Sequence, residues 1–286
     1  MRLSHEIYFE LIDRNGEFMD TRFKNYLLIS DMDGTLINTR GEISRENISA
    51  INNFVKKGGI FTIATGRTME SAGRYLKQLQ VNAPIVLYNG AKIYDYKKEK
   101  TLCEISLEEP VKEIIRKVKY DDSSLGLEIY CEENVYIYNP CRFTERFSKK
   151  GYEIYYNIED IWDKNWTKIL ILGEENQLDV MEIDFIDTFG DVNLIRSGEN
   201  FLEIIPKNTS KGHGLIELCK ILRTDLSNTI AVGDNMNDAE LLKEAGYGFC
   251  VANGNKKLRD IVKYKCPSND EAPIKYIVEW IERTLL

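Results

Sequence analysis

The segment YLLISDMDGTL (26–36) joins a short apolar run to two acids set one residue apart. YLLIS reads as a buried strand, so the carboxylates of Asp31 and Asp33 emerge at its C-terminal edge. In an open α/β sheet that edge is where ligands bind. Gly34 follows and permits a tight backbone turn. Taken alone, the segment leaves several readings open: a polar turn at a strand end, a metal site, or a nucleophile beside a second acid. A calcium loop matches Asp31, Asp33, Thr35 and Glu42, but it requires Gly where Leu36 stands and a helix where the strand stands.

Working outward, residues 44–57 place Ile48, Ile51, Phe54 and Val55 on one helical face, with Ser44 as N-cap and Gly58-Gly59 as the stop. IFTIAT (60–65) predicts a second strand, 69–80 a helix and IVLY (85–88) a third strand. Apolar strands separated by helices mean βαβ units and a parallel sheet covered on both faces. Between 91 and 190 the texture changes to more Tyr, more charge and hairpin spacing. LEIYCEENVYIYNP offers two strands around a Glu-Glu-Asn turn, TKILIL another, and 108–119 and 174–188 have helical spacing. Its Tyr130, Glu132, Glu133, Tyr136 and Tyr138 would suit a hydroxyl-rich substrate, but they read first as a solvated hairpin.

After about Val192 the α/β pattern returns. LEII (202–205), NTIAVGD (228–234) and YGFCVAN (247–253) predict strands; 210–222, 236–245, 255–264 and 270–284 predict helices. The expected fold is α/β, a doubly wound and mostly parallel sheet built from 25–90 and 191–286, with an inserted α+β domain at 91–190. Residues 1–24 are charged, carry an Asn-Gly turn signal, fit neither part, and read as a fraying extension or an edge-packing segment.

Bulk properties narrow the function. A net charge of −8 argues against a nucleic-acid partner, whose phosphates reward a basic excess. No run approaches the roughly 20 apolar residues that span a bilayer, and the N-terminus has no apolar signal core. Six Cys without a CxxC pair fit free thiols in a reducing cytoplasm. Two His are too few for multi-histidine metal chemistry.

Three further places carry chemistry. Thr65 in IATGR offers a hydroxyl and, with Gly66, a backbone N–H able to hold a phosphoryl oxygen; an ordinary turn fits the same residues. Arg67 and Asn89 stand at strand ends and are candidates for substrate contact. Lys211 opens a helix, where a cation opposes the macrodipole, so it is either a solvated Lys or a charge kept to balance acids and phosphate. His213 fits a helix face. In VGDNMNDAELL, Asp234 ends a strand and with Asp31 supplies the paired carboxylates that a hard cation such as Mg²⁺ prefers. Asn237 and Asp238 fit helix capping as well as support of that site.

DMDGTL, ATGR, a Lys and GDNMND, in this order, resemble the haloacid dehalogenase superfamily of phosphohydrolases. With LYNGA (87–91) and LEIIPKNTSKG (202–212) the resemblance is to its Cof-type sugar-phosphate phosphatase branch, whose α/β cap is inserted between the second and third motifs. It covers about residues 25 to 284. The resemblance implies a Rossmann-like core and a phosphomonoester hydrolase acting on a small phosphorylated metabolite. Asp31 would attack phosphorus to form an aspartyl-phosphate. Asp33 would act as acid and then base, and Thr65 and Lys211 would hold the phosphoryl oxygens. Mg²⁺ would be bound by the Asp31 carboxylate, the Asp33 backbone carbonyl and Asp234, supported by Asn237 and Asp238; Gly66, Arg67, Asn89 and Gly90 would contact substrate. A phosphomutase or a regulatory phosphometabolite-binding protein is the alternative, and a monomer or weak homodimer is expected. Ser30, Leu241 and the 24-residue extension depart from the pattern, with a start at Met19 as the alternative reading of the last.

Overall fold

The structure, a computed structural model, describes residues 20–145, 153–190 and 192–286. Most of the expected extension, residues 1–19, therefore lies outside the described residues. The chain divides into two compact units. Of the described residues, one comprises 20–64, Gly73–Ile85 and Leu215–Leu286; the other comprises those within Thr65–Ala72 and Val86–Gly214.

The first unit is built on a five-stranded sheet in the order Tyr264–Cys266, Tyr247–Val251, Thr229–Gly233, Leu27–Ser30, Ile60–Ile63, with every neighbouring pair parallel. Leu27–Ser30 and Thr229–Gly233 are buried along their whole length, which explains their unbroken apolar runs. Helix Arg45–Lys56 starts on Ser44, whose hydroxyl accepts the Asn47 N–H at 3.2 Å. Its buried residues are Asn47, Ile51 and Phe54, while Ile48 and Val55 of the expected apolar face are half-buried. The face rotates because Asn47 turns inward. Its Oδ1 accepts the N–H groups of Ile274 and Lys275 at 3.0 and 3.2 Å, capping helix Pro273–Thr284. Phe23 is fully buried against Phe54, with ring centroids 4.8 Å apart. Residues 20–24 of the expected extension thus pack into this unit.

The second unit carries a six-stranded sheet in the order Asn193–Gly198, Phe201–Ile205, Lys168–Leu172, Gly126–Cys131, Asn134–Asn139, Ile154–Tyr155. Only the last pair is parallel. One face of this sheet presents Leu127, Ile129, Ile169, Ile171, Leu202 and Ile204 to a core completed by Ile115 and Val118 of helix Pro110–Asp121 and Leu178 and Phe185 of helix Glu175–Phe189. A three-stranded sheet joins Ile85–Leu87, Lys92–Asp95 and Lys100–Glu104.

Two strands take partners other than those expected. Ile85–Leu87 joins the three-stranded sheet, not the five-stranded one. Phe201–Ile205, expected where the parallel pattern returns, pairs antiparallel with Lys168–Leu172. A short apolar run reports that a strand is buried on both faces, not which strand lies beside it. Among the described residues no helix is long and apolar enough to cross a membrane.

Candidate active site

In the first unit, two strands from distant parts of the chain end together. Leu27–Ser30 and Thr229–Gly233 pair with Ser30 opposite Val232, and the ladder closes with the Asp31 N–H donating to the Val232 carbonyl at 2.9 Å. Each strand is followed at once by an acid, so Asp31 and Asp234 stand at neighbouring C-terminal strand ends. The chain leaves Leu27–Ser30 for Ile60–Ile63 on one side and returns to Thr229–Gly233 on the other. That makes this edge the switch point of the sheet, where open α/β folds bind ligands.

Oxygens of Asp31, Asp234 and Asp238 lie within 4.8 Å of one another, with Asp31 and Asp238 buried and Asp234 half-buried. Asp238 Oδ2 accepts the N–H groups of Asp234 and Asn235, at 2.9 and 3.1 Å. Thr35 Oγ1 lies 3.4 Å from Asp234 Oδ1, and the Asp234 carbonyl accepts the Asn255 N–H at 2.7 Å. Gly34 has φ +79°, and a Cβ there would stand 2.4 Å from Asp234 Oδ2, so the turn must be glycine for the carboxylate to keep its place. Asp33 is exposed and forms an isolated bridge with Ile37; Asn237 is half-buried. The grouped carboxylates are therefore Asp31, Asp234 and Asp238, with Asp238 both capping and contributing an oxygen.

Thr65, Gly66, Arg67, Asn89, Gly90 and Lys211 belong to the second unit. Thr65 is buried; its N–H donates to the Val86 carbonyl at 2.9 Å, and its Oγ1 accepts the Arg67 N–H at 3.2 Å. Arg67 Nη1 turns to Ser71, donating to its carbonyl and hydroxyl, both at 3.1 Å. The Asn89 N–H donates to the Thr65 carbonyl at 3.0 Å. Tyr88, Asn89 and Gly90 all have positive φ (50°, 54° and 99°), and a Cβ on Gly90 would meet the Ser210 carbonyl at 1.9 Å. The turn at 88–90 thus touches the residue that precedes Lys211, itself 2% exposed at the start of helix Lys211–Leu222. His213 donates its N–H to Ser210 Oγ at 2.9 Å.

The second face of the six-stranded sheet carries buried polar residues of which the sequence reading singled out only Tyr130. Glu128, Tyr130, Lys168 and Glu203 alternate with the apolar core residues, yet all four are buried. Lys168 Nζ lies 3.4 Å from Glu203 Oε1, 4.6 Å from the Tyr130 ring centroid, and donates to the Gly66 carbonyl at 3.0 Å. Glu203 Oε2 accepts Asn89 Nδ2 at 2.9 Å. The hairpin read as solvated is partly an interior one. Tyr130 is buried, and Glu133, in a left-handed turn with Glu132, accepts the Tyr88 hydroxyl at 3.1 Å and pairs with buried Lys92. Burial, then the charge of Glu133, pushes the Tyr88 phenol well above its ordinary value. The usable signal was the two-residue alternation in LEIY and LEII, which places a Glu on the face opposite each core Leu and Ile.

The sequence profile of the haloacid dehalogenase-like hydrolases matches residues 28–278. The chain is 26% identical over 274 residues to the 5-amino-6-(5-phospho-D-ribitylamino)uracil phosphatase YwtE of Bacillus subtilis, covering 87% of this chain and 95% of that one. Its fold is similar to that of a haloacid dehalogenase-like hydrolase from Bacteroides thetaiotaomicron, with TM-score 0.79, 25% identity, and 90% and 100% of the two chains covered. It is also similar in fold to the subclass IIB sugar phosphatase BT4131, with TM-score 0.77, 17% identity, and 90% and 99% covered. With paired acids at the switch point of a parallel sheet and a family profile spanning nearly its whole length, the chain belongs to the haloacid dehalogenase-like hydrolase family, as a phosphatase of its Cof-type branch.

Proposed function

We propose that the chain is a Mg²⁺-dependent phosphomonoester hydrolase that works through an aspartyl-phosphate on Asp31. The supporting observation is the grouping of Asp31, Asp234 and Asp238 at adjacent strand ends. In this reading a carboxylate oxygen of Asp31 attacks phosphorus and the ester P–O bond breaks, while Asp33 gives its proton to the departing alkoxide. Asp33 then takes a proton from water; the water oxygen attacks phosphorus, the acyl-phosphate P–O bond breaks, and Asp31 and inorganic phosphate are released. The exposure of Asp33 suits a group that must meet both leaving group and water. Thr65 and Lys211 hold the phosphoryl oxygens. Thr65 Oγ1 already accepts the Arg67 N–H, which leaves its own proton to donate.

Three carboxylates with oxygens within 4.8 Å form the hard, all-oxygen donor set that Mg²⁺ takes, so Asp31 and Asp234 would hold it, with the Asp33 carbonyl and with Asp238 and Asn237 in support. When bound, it supplies positive charge that lets an anionic carboxylate approach an anionic phosphoryl group. The substrate class we assign is a small cytoplasmic phosphorylated metabolite such as a sugar phosphate, in keeping with the sugar phosphatase and the ribitylaminouracil phosphatase that the chain resembles. Gly66, Arg67, Asn89 and Gly90 are the proposed contacts. Asp31→Asn is the test. Hydrolysis of p-nitrophenyl phosphate should vanish with an unchanged circular dichroism spectrum, and full activity in that variant would overturn the assignment.

A further inference from the structure

We propose that Lys168 and Glu203 are a positioning pair that sets the Thr65–Arg67 loop and Asn89 for phosphoryl binding. This rests on the phosphatase reading above, in which Thr65 holds a phosphoryl oxygen. The contacts form a closed ring. Lys168 Nζ donates to the Gly66 carbonyl at 3.0 Å and pairs with Glu203 Oε1 at 3.4 Å. Glu203 Oε2 accepts Asn89 Nδ2 at 2.9 Å, and the Asn89 N–H donates to the Thr65 carbonyl at 3.0 Å. From Thr65 the chain runs back to Gly66, where a Cβ would stand 2.9 Å from Asn89 Nδ2.

Stability does not account for this pair. Both side chains are buried, at 5% and 7% exposure, and a buried ion pair commonly does no better than apolar side chains of the same volume. What it does achieve is geometry. Tyr88 and Asn89 both hold left-handed φ, a conformation that persists only where the surroundings over-determine it. Two charges fixed on adjacent strands of a sheet add to that determination, beside the backbone bonds that tie Thr65 to Val86 and Asn89. The Tyr130 ring, 4.6 Å from Lys168 Nζ, limits where the ammonium can go.

The experiment is a cycle between the pair and Thr65, with p-nitrophenyl phosphate as substrate. Lys168→Met with Glu203→Leu removes both charges together and leaves neither buried alone. It takes the acceptor from buried Asn89 Nδ2 and the donor from the Gly66 carbonyl, so it should melt somewhat below the wild type yet stay folded at the assay temperature, and lose about ten- to a hundredfold in kcat/KM, the scale of an ångström-level misplacement. In a Thr65→Ala background the same pair of changes should cost no more than about twofold, because the loop they position no longer carries the hydroxyl. Glu203→Gln, which keeps the acceptor for Asn89 and nearly the same shape, is the companion variant. It leaves the Lys168 ammonium without its counter-charge, so it should melt below the wild type while remaining folded at the assay temperature, and show a smaller loss in kcat/KM that Thr65→Ala again masks. Unchanged kcat/KM in both, or losses that multiply with Thr65→Ala, would overturn the proposal. A failure of the phosphatase reading looks different, since Asp31→Asn would then be as active as the wild type.

Discussion

The Asp238 carboxylate holds the backbone that carries Asp234: its Oδ2 accepts the N–H groups of Asp234 and Asn235, at 2.9 and 3.1 Å. Asp238→Ala leaves two N–H groups without that acceptor, at a cost of about 1–3 kcal/mol. It also removes one oxygen from the carboxylate group. Urea unfolding should show the destabilisation, and a Mg²⁺ titration of activity should need more metal to reach half its maximum. Asp238→Asn keeps one acceptor and should fall between.

Asp33 is exposed and outside the grouped carboxylates, and in the proposed mechanism its side chain moves protons, so its replacement should change the chemistry far more than the fold. Asp33→Asn is expected to lower kcat by about 10²–10⁴-fold. With ³²P-labelled substrate, acid-quenched Asp33→Asn protein should retain covalent label, because in the proposed mechanism the base that releases the phosphoryl group is then missing. Asp31→Asn should retain none.

Gly90→Ala drives a Cβ to within 1.9 Å of the Ser210 carbonyl at φ +99°. The backbone conformation alone costs about 1–2 kcal/mol, and the clash must move Ser210 and with it Lys211. Both a lower melting temperature and a raised KM should follow. Gly41→Ala is the matched control, since φ is +76° there and nothing lies within 4 Å of the new Cβ. It should lose stability while leaving kcat/KM as it was.

Asn47 separates stability from chemistry in the same way. As the buried cap of helix Pro273–Thr284, Asn47→Ala should cost about 1–2 kcal/mol in chemical denaturation. Steady-state kinetics below the melting range should not change.

Burial pushes the thiols of Cys219 and Cys250 up to about 11, from an ordinary value of 9.0. The folded state therefore holds these protons more tightly than the unfolded chain. Stability should be flat in this respect up to about pH 9 and fall as pH rises from 9 towards 11, where the unfolded chain has already released protons. Urea midpoints across that range would show the slope, which Cys219→Ala with Cys250→Ala should flatten. Neutral-pH alkylation of both thiols should be slow until the protein is denatured.

Much of this architecture was open to reading from residues alone, for a physical reason. Leu27–Ser30 and Thr229–Gly233 are buried on both faces and end on acids, so their texture and their chemistry point the same way. Asn47 was invisible because its purpose is to cap a helix that begins some 230 residues later. Phe201–Ile205 was placed with the wrong neighbours because parallel and antiparallel interior strands share one apolar texture. Lys168 and Glu203 were missed for a related reason. A single charge in an apolar run gains meaning only when the strand beside it is known to bring the opposite charge.

The pairing of Leu27–Ser30 with Thr229–Gly233 also governs when the molecule can become itself during synthesis. The apolar strand Leu27–Ser30 must wait for about two hundred more residues before its neighbour leaves the ribosome, with one hydrogen-bonding edge bare throughout. Long-range parallel pairing of this kind is slow and exposes the nascent chain to aggregation. The intervening six-stranded sheet, whose strands all lie between Gly126 and Ile205, can finish its own pairing before that neighbour exists. Chains halted before Gly233 should therefore hold a folded six-stranded sheet beside an incomplete, sticky Leu27–Ser30 strand.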